Sequence, residues 1–263
     1  MSPGRSFQRI AITARSMWPA TRREVGWLIG LLAVTVAGWS FVELADEVLE
    51  GGTQDFDRTI LLALRNPADL SDPIGPRWLE AVARDVTSLG GNAILAAFTL
   101  AVMGFLALSA KRAAAVLVAV SVGGGMALSS LLKLGFSRPR PDLVPHAVEV
   151  YTASFPSGHA MLSAVTYLTL GALLMRVQPR WRIKVYILAI AATVTFLVGL
   201  SRVYLGVHWP TDVLAGWCIG AAWALLCWLT ALWLQRQGRV EPTASALDEE
   251  TVSQANVAHN KDT

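Results

Sequence analysis

Charge is scarce in this chain, and that scarcity is the first constraint on its fold. Only 16% of its residues are Asp, Glu, Lys or Arg, whereas a soluble domain carries about 25%. The mean hydropathy is +0.47, which excludes an ordinary soluble domain and points to a bilayer. Cysteine is scarcer still. Cys218 and Cys227 both lie in the last apolar run, nine residues apart and so on opposite faces of a helix. They offer neither a disulfide framework nor a zinc spacing, and they read as small apolar residues. No cluster of carboxylates is in sight, so neither a metal nor a cofactor is expected. Internal repeats and Gly/Ser linkers are also missing, which leaves no boundary between separate domains. The net charge of +3 is dispersed along short segments, which argues against a nucleic-acid face.

What the chain does have is long uncharged apolar sequence. Gly26–Val42, Val86–Ala110, Ala113–Leu132, Val185–Ser201 and Val213–Leu234 carry no charge, and Ala160–Met175 is a shorter run of the same kind. A spanning helix needs roughly 20 apolar residues. The expected fold is therefore all-α, an integral membrane bundle of six transmembrane helices. The first run follows a long basic leader, and no small-x-small cleavage site precedes the acidic stretch Glu43–Glu50, so it reads as a retained span.

Charge distribution sets the expected topology. Arg5, Arg9, Arg15, Arg22 and Arg23 precede the first run, Lys111 and Arg112 follow the second, and Arg176, Arg180, Arg182 and Lys184 follow the fourth. Residues 43–85 instead hold ten acids against Arg58, Arg65, Arg77 and Arg84. The positive-inside rule then puts both termini in the cytoplasm. Residues 1–24 read as a basic, weakly structured cytoplasmic leader, 25–239 as the six-span unit, and 240–263 as a polar, disordered cytoplasmic tail. Within 43–85, Pro76 suits a first helical turn. Trp78, Leu79, Val82, Ala83 and Val86 follow at helical spacing, as in a helix lying on the interface. Such a helix serves equally as a connector or as a lid. The small residues Gly123-Gly124-Gly125 and Ser129-Ser130 predict close helix contact, and the ten tryptophans read mostly as interfacial anchors.

Chemistry concentrates in residues 133–212. Three blocks fall on one side of the expected bundle: Lys133 to Arg140-Pro141, Pro156-Ser157-Gly158-His159, and Ser201-Arg202 with His208 and Asp212. Their cations run against the charge bias that sets the topology, and an anionic ligand would explain them. Lys supplies a point charge and Arg a planar fork for two oxygens, so Lys133, Arg140 and Arg202 are expected to surround a phosphate. Ser157 and Gly158 add a hydroxyl and backbone N–H groups where a helix begins, an end that attracts anions. His208 and Asp212 are four apart, so the carboxylate can hold one imidazole nitrogen and leave the other free to attack. His159 is the expected general acid, protonating the leaving group and then activating water.

These blocks resemble the signature of the type 2 phosphatidic acid phosphatase family, which shares its core with vanadium haloperoxidases and bacterial acid phosphatases. Lys133, Arg140 and Pro141 match its first motif, residues 156–159 its second, and Ser201, Arg202, His208 and Asp212 its third, without departure. The resemblance implies an enzyme of the plasma (inner) membrane, multi-pass, whose active site faces the periplasm or exterior. It would remove phosphate from a lipid phosphate or pyrophosphate through a phosphohistidine. Undecaprenyl pyrophosphate is the first expected substrate, with phosphatidic acid and related lipids next. The residues leave open a lipid phosphotransferase and a non-catalytic lipid-binding or transport protein. The lipid substrate and the bilayer are the only partners implied, and oligomeric state is not legible.

Other polar residues receive plainer readings. Arg138, outside the fixed spacing, is expected at the surface or on a headgroup. Ser201 either bonds locally or touches the site. His146 reads as a polar anchor, Asp142 and Glu149 as solvated loop charges, and His259 as a solvated tail residue.

Overall fold

The computed structural model describes residues 4–142 and 153–237, with side chains from Glu24 onward except that of Arg236. His146, Glu149, His259 and the expected tail lie outside them. A 47-residue helix α1 (Gly4–Glu50) opens the chain. The basic leader is therefore not weakly structured, since its backbone is helical from Gly4. An extramembrane segment follows: helix α2 (Gln54–Ala63), a short antiparallel hairpin of β1 (Arg65–Asn66) and β2 (Asp69–Pro73), and helix α3 (Arg77–Ser88). Helices α4 (Asn92–Leu108), α5 (Arg112–Gly135), α6 (Gly158–Arg176), α7 (Trp181–Tyr204) and α8 (Pro210–Arg236) complete the bundle.

Five helices are long and apolar enough to cross a membrane: residues 24–50 of α1, and α5, α6, α7 and α8. The remaining apolar run is bent. Helix α4 has 17 residues, about 25 Å at 1.5 Å per residue, and falls short of a roughly 30 Å hydrocarbon core. It meets α3 at a bend of 48°. The uncharged run from Val86 thus does not form one straight span. Its first residues belong to α3, which leaves Trp78 (64% exposed) and Val82 outward, buries Ala83 and packs on α7. Gly90, in the break between α3 and α4, packs tightly, since a Cβ there would lie 2.4 Å from Val198 Cγ1 and 3.2 Å from the His159 carbonyl. Pro76 stands just before α3 as its N-cap.

Helix α6 is the centre of the bundle, packed against α5, α7 and α8. Small residues bring α8 onto it. A Cβ on Gly216 would sit 2.7 Å from the Ser157 carbonyl, and one on Gly220 2.6 Å from that of Met161. In lipid, where apolar burial gives helices little reason to associate, such close packing is a main attraction between them. Gly124 and Gly125 do the same for Trp223 and Val165, whereas Gly123 faces open space. Interhelical hydrogen bonds add to this: Ser121 Oγ lies 2.7 Å from Thr169 Oγ1, and Trp223 Nε1 donates to the Ser121 carbonyl at 2.8 Å. Trp217 Nε1 likewise donates to the Thr195 carbonyl at 3.2 Å. These two indoles tie helices together inside the bundle and are not interfacial anchors.

The extramembrane segment is tied to the mouth of the bundle. Arg65 Nη2 donates to the Tyr204 carbonyl at the end of α7 (2.6 Å), and the Tyr204 hydroxyl donates to the Ile74 carbonyl (2.9 Å). The mouth nearest this segment collects the end of α5, the starts of α6 and α8, and the end of α7.

Candidate active site

Local chain chemistry brings the three blocks to that mouth. Helix α7 ends in a left-handed Gly206 (φ 72°), the usual way to close a helix. The turn brings the Val207 and His208 amides back onto the Arg202 carbonyl at 3.1 and 3.3 Å, so arginine and histidine share one corner. Pro210 opens α8, and Asp212 accepts the Trp209 N–H at 3.0 Å, the acidic half of a capping box. The Ser157 amide donates to the Asp212 carbonyl at 2.9 Å, which joins the start of α6 to that of α8.

A cavity of about 480 Å³ occupies the mouth, lined by Lys133, Arg140, Gly158, His159, Arg202 and His208. Six of the eight expected site residues thus line one space. Ser157 lies beneath it, fully buried, and Asp212 stands behind His208, also buried. Lys133 Nζ is close over Gly158, where a Cβ would be 3.5 Å from it. Arg202 Nη1 donates to Thr87 Oγ1 of α3 at 3.1 Å. Ser157 Oγ and Arg202 Nε are buried polar atoms with no hydrogen-bond partner among the described residues. Buried donors are rarely left unsatisfied, and both stand at a cation-lined cavity.

His208 separates two environments. Its Nε2 lies 3.3 Å from Arg140 Nη1 on the cavity side, and Nδ1 lies 3.3 Å from Asp212 Oδ2 on the other. Arg140 Nη1 also donates to the Val207 carbonyl at 2.8 Å. Burial pushes the His208 imidazole down to about 4, outweighing the bond and charge of Asp212, which raise it. At neutral pH the ring is uncharged. With Nδ1–H donated to Asp212, Nε2 keeps its lone pair.

Behind His208 stand residues that sequence reasoning missed. Arg138 is not a surface or headgroup residue, since its side chain is 12% exposed and bridges Asp212 Oδ1 (2.7 Å) and Asp57 Oδ2 (2.6 Å). Ser154 donates a short bond to Asp212 Oδ2 and lies 3.4 Å from His208 Nδ1. Trp209 Nε1 donates to the Pro139 carbonyl at 3.0 Å, and its ring packs under Arg138. Arg138 carried no local signal that set it apart from Arg140. Asp57 had none, being 155 positions from Asp212. Ser201 Oγ donates to the Val198 carbonyl at 2.6 Å and bonds locally. Asp142 is exposed.

Residues 114–236, which contain all eight expected site residues but neither Asp57 nor Thr87, match the model of the PAP2 superfamily. Phosphatidylglycerophosphatase B of Bacillus subtilis is 36% identical over 146 residues, 54% of this chain and 70% of that protein. The chain belongs to the PAP2 superfamily. The crystal structure of a transmembrane PAP2-type phosphatidylglycerolphosphate phosphatase from Bacillus subtilis superposes with a TM-score of 0.69 at 29% identity, covering 76% of this chain and 96% of that one. An undecaprenyl-diphosphatase of Sulfolobus acidocaldarius is 38% identical over 94 residues, 36% of this chain and 40% of that protein. The protein is thus a multi-pass membrane PAP2 phosphatase, from a metal-independent family whose members act on lipid phosphates. Its all-helical spanning bundle is the PAP2 architecture, with the extramembrane hairpin as its only strand pair among the described residues.

Proposed function

We propose that this PAP2 phosphatase hydrolyses a lipid pyrophosphate or phosphate at the outer face of the plasma membrane, with undecaprenyl pyrophosphate as its substrate. The split surroundings of His208 carry the reading: one nitrogen rests on a buried carboxylate, while the other faces cations across an open cavity. In this scheme Nε2 attacks phosphorus, and Lys133, Arg140, Arg202, Ser157 Oγ and the Gly158 N–H hold the phosphoryl oxygens. Such preorganised charge is the main device of phosphoryl transfer. His159 delivers a proton to the departing oxygen, so the first product leaves as alcohol or phosphate. Water then attacks the phosphohistidine, His159 takes its proton, and inorganic phosphate departs as His208 regains its lone pair.

The cavity wall supports an amphiphilic substrate, since beyond the cations it continues along Met126 and Leu162 between α5 and α6. Charge supports the orientation. Lys111, Arg112, Arg176, Arg180, Arg182 and Lys184 lie at the mouth opposite the site, and the acid-rich segment lies beside it. Cytoplasmic termini follow by the positive-inside rule. The undecaprenyl-diphosphatase and phosphatidylglycerophosphatase relatives define the substrate contest.

A phosphate-release panel decides it, with purified protein presented with undecaprenyl pyrophosphate, phosphatidylglycerol phosphate, phosphatidic acid and lipid A phosphate in detergent. Release in the presence of EDTA, inhibition by vanadate and the highest kcat/KM on the isoprenoid are expected. A higher kcat/KM on a glycerolipid overturns the substrate. A His208→Ala variant should lose at least about 10³-fold in kcat, and full activity in it would sink the nucleophile assignment.

A further inference from the structure

On the side of His208 away from the cavity, one guanidinium is shared by two buried carboxylates from distant parts of the chain. Arg138 Nη1 donates to Asp212 Oδ1 at 2.7 Å and to Thr211 Oγ1 at 2.8 Å. Arg138 Nη2 donates to Asp57 Oδ2 at 2.6 Å and to Thr53 Oγ1 at 3.2 Å. Asp57, on the extramembrane helix α2, is 1% exposed and Asp212 is fully buried. Asp57 also accepts the Thr211 amide at 2.9 Å and the Thr211 hydroxyl at 2.6 Å. It therefore caps from outside the first turn of α8, the turn that carries Asp212.

We propose that Asp57 is a positioning residue for phosphoryl transfer, acting through Arg138 on Asp212 and thereby on His208. The inference rests on the reading of His208 as nucleophile. Its basis is a charge balance. Attack by Nε2 builds positive charge on the imidazole ring, which the facing carboxylate stabilises. If Arg138 met Asp212 alone, its single positive charge would cancel that carboxylate. Asp57 supplies the second negative charge, so the triad Asp57–Arg138–Asp212 keeps one net negative charge facing the ring.

Geometry works in the same direction. An arginine fork offered a single carboxylate tends to grip both oxygens. Asp57 occupies one arm of the fork and confines the other to Oδ1. Oδ2 is then left for His208 Nδ1, Ser154 and the Trp209 amide. Without Asp57, the fork would be free to compete for Oδ2. Helix α2 thus does more than cover the mouth, because its buried face of Asp57 and Leu61 is docked where it governs the charge behind the nucleophile.

The test is a double-mutant cycle. Asp57→Asn keeps the shape and an oxygen for the Thr211 amide but removes the charge. The expected loss is about 10- to 100-fold in kcat, the range typical of groups that orient reacting ligands, with KM within about twofold. In an Asp212→Asn background, followed with radiolabelled lipid, the same change should cost less than about threefold, since the group it acts through is already gone. Arg138→Lys repeats the cycle independently should Asp57→Asn fail to fold, because a point charge cannot hold both carboxylates as the fork does. An unchanged kcat, or an equal penalty in both backgrounds, overturns the proposal and leaves α2 a purely structural element. The His208→Ala control separates the failures: if that variant is active, the site reading falls; if it is dead while Asp57→Asn is fully active, only the relay falls.

Discussion

The two faces of His208 are built on opposite principles. In front, Lys133, Arg140 and Arg202 crowd one cavity, and Arg202 Nε and Ser157 Oγ have no partner among the described residues. Behind, Asp57, Arg138, Thr211, Ser154 and Asp212 bond one another at 3.2 Å or less. A buried polar network is stable when every member is satisfied and costly when it is not. The closed network therefore reads as scaffold, and the open one as a site completed by an anion. Arg138 and Arg140 stand two residues apart in one loop and are divided between the two faces.

Substitutions on either side should behave differently, and the strongest contrast comes from the open face. Arg202→Ala should lower kcat/KM by about 10²- to 10³-fold, the usual cost of removing one transition-state donor, while the protein stays folded and monodisperse. Loss of fold, or an effect under tenfold, would place Arg202 with the scaffold.

The boundary itself should respond to acid. His208 falls from an ordinary 6.5 to about 4 in the folded protein, so between those values the unfolded chain binds the proton and the folded one does not. Stability is then fully present above about pH 6.5 and declines as pH drops through 4, by on the order of 3 kcal/mol for this group. Thermal unfolding of wild type and His208→Asn in detergent should therefore diverge on acidification, with the variant less acid-sensitive. Parallel curves would mean that the ring titrates normally.

The smallest effect is expected at Gly158. A Cβ there meets Lys133 Nζ at 3.5 Å and Ser129 Oγ at 3.6 Å, which is ordinary contact, so the fold should tolerate Gly158→Ala. The methyl group would occupy the approach of the anion to the helix start. An increase of about tenfold in KM, near 1.4 kcal/mol, with unchanged melting temperature, would sharpen the distinction between the two faces. A lowered melting temperature with normal KM would blur it.

Much of the front face was legible from residue types and spacing. Cations gathered at the ends of apolar runs, and a His and Asp four apart at a helix start, are local patterns with direct physical meaning. The back face was not legible. Arg138 looked like a surface residue because its partners lie 81 and 74 positions away, and no periodicity links such distances. Two tryptophans of the last span looked like anchors for the same reason, since hydropathy cannot tell an indole facing lipid from one bonding a neighbouring helix. The expected straight second span is bent by 48° between α3 and α4, although the uncharged run continues through the break.

By itself, then, the amino-acid order determined which stretches form the long apolar helices and which polar residues stand at their ends. Both follow from free energies that act over a few neighbouring residues: apolar transfer, helix ends and fixed charge. Only the tertiary structure decided which arginine faces the cavity and which is spent against Asp57 and Asp212, and where the second span breaks. Those outcomes depend on pairing buried charges and fitting helices across large chain separations, and such contacts exist only after the bundle has closed.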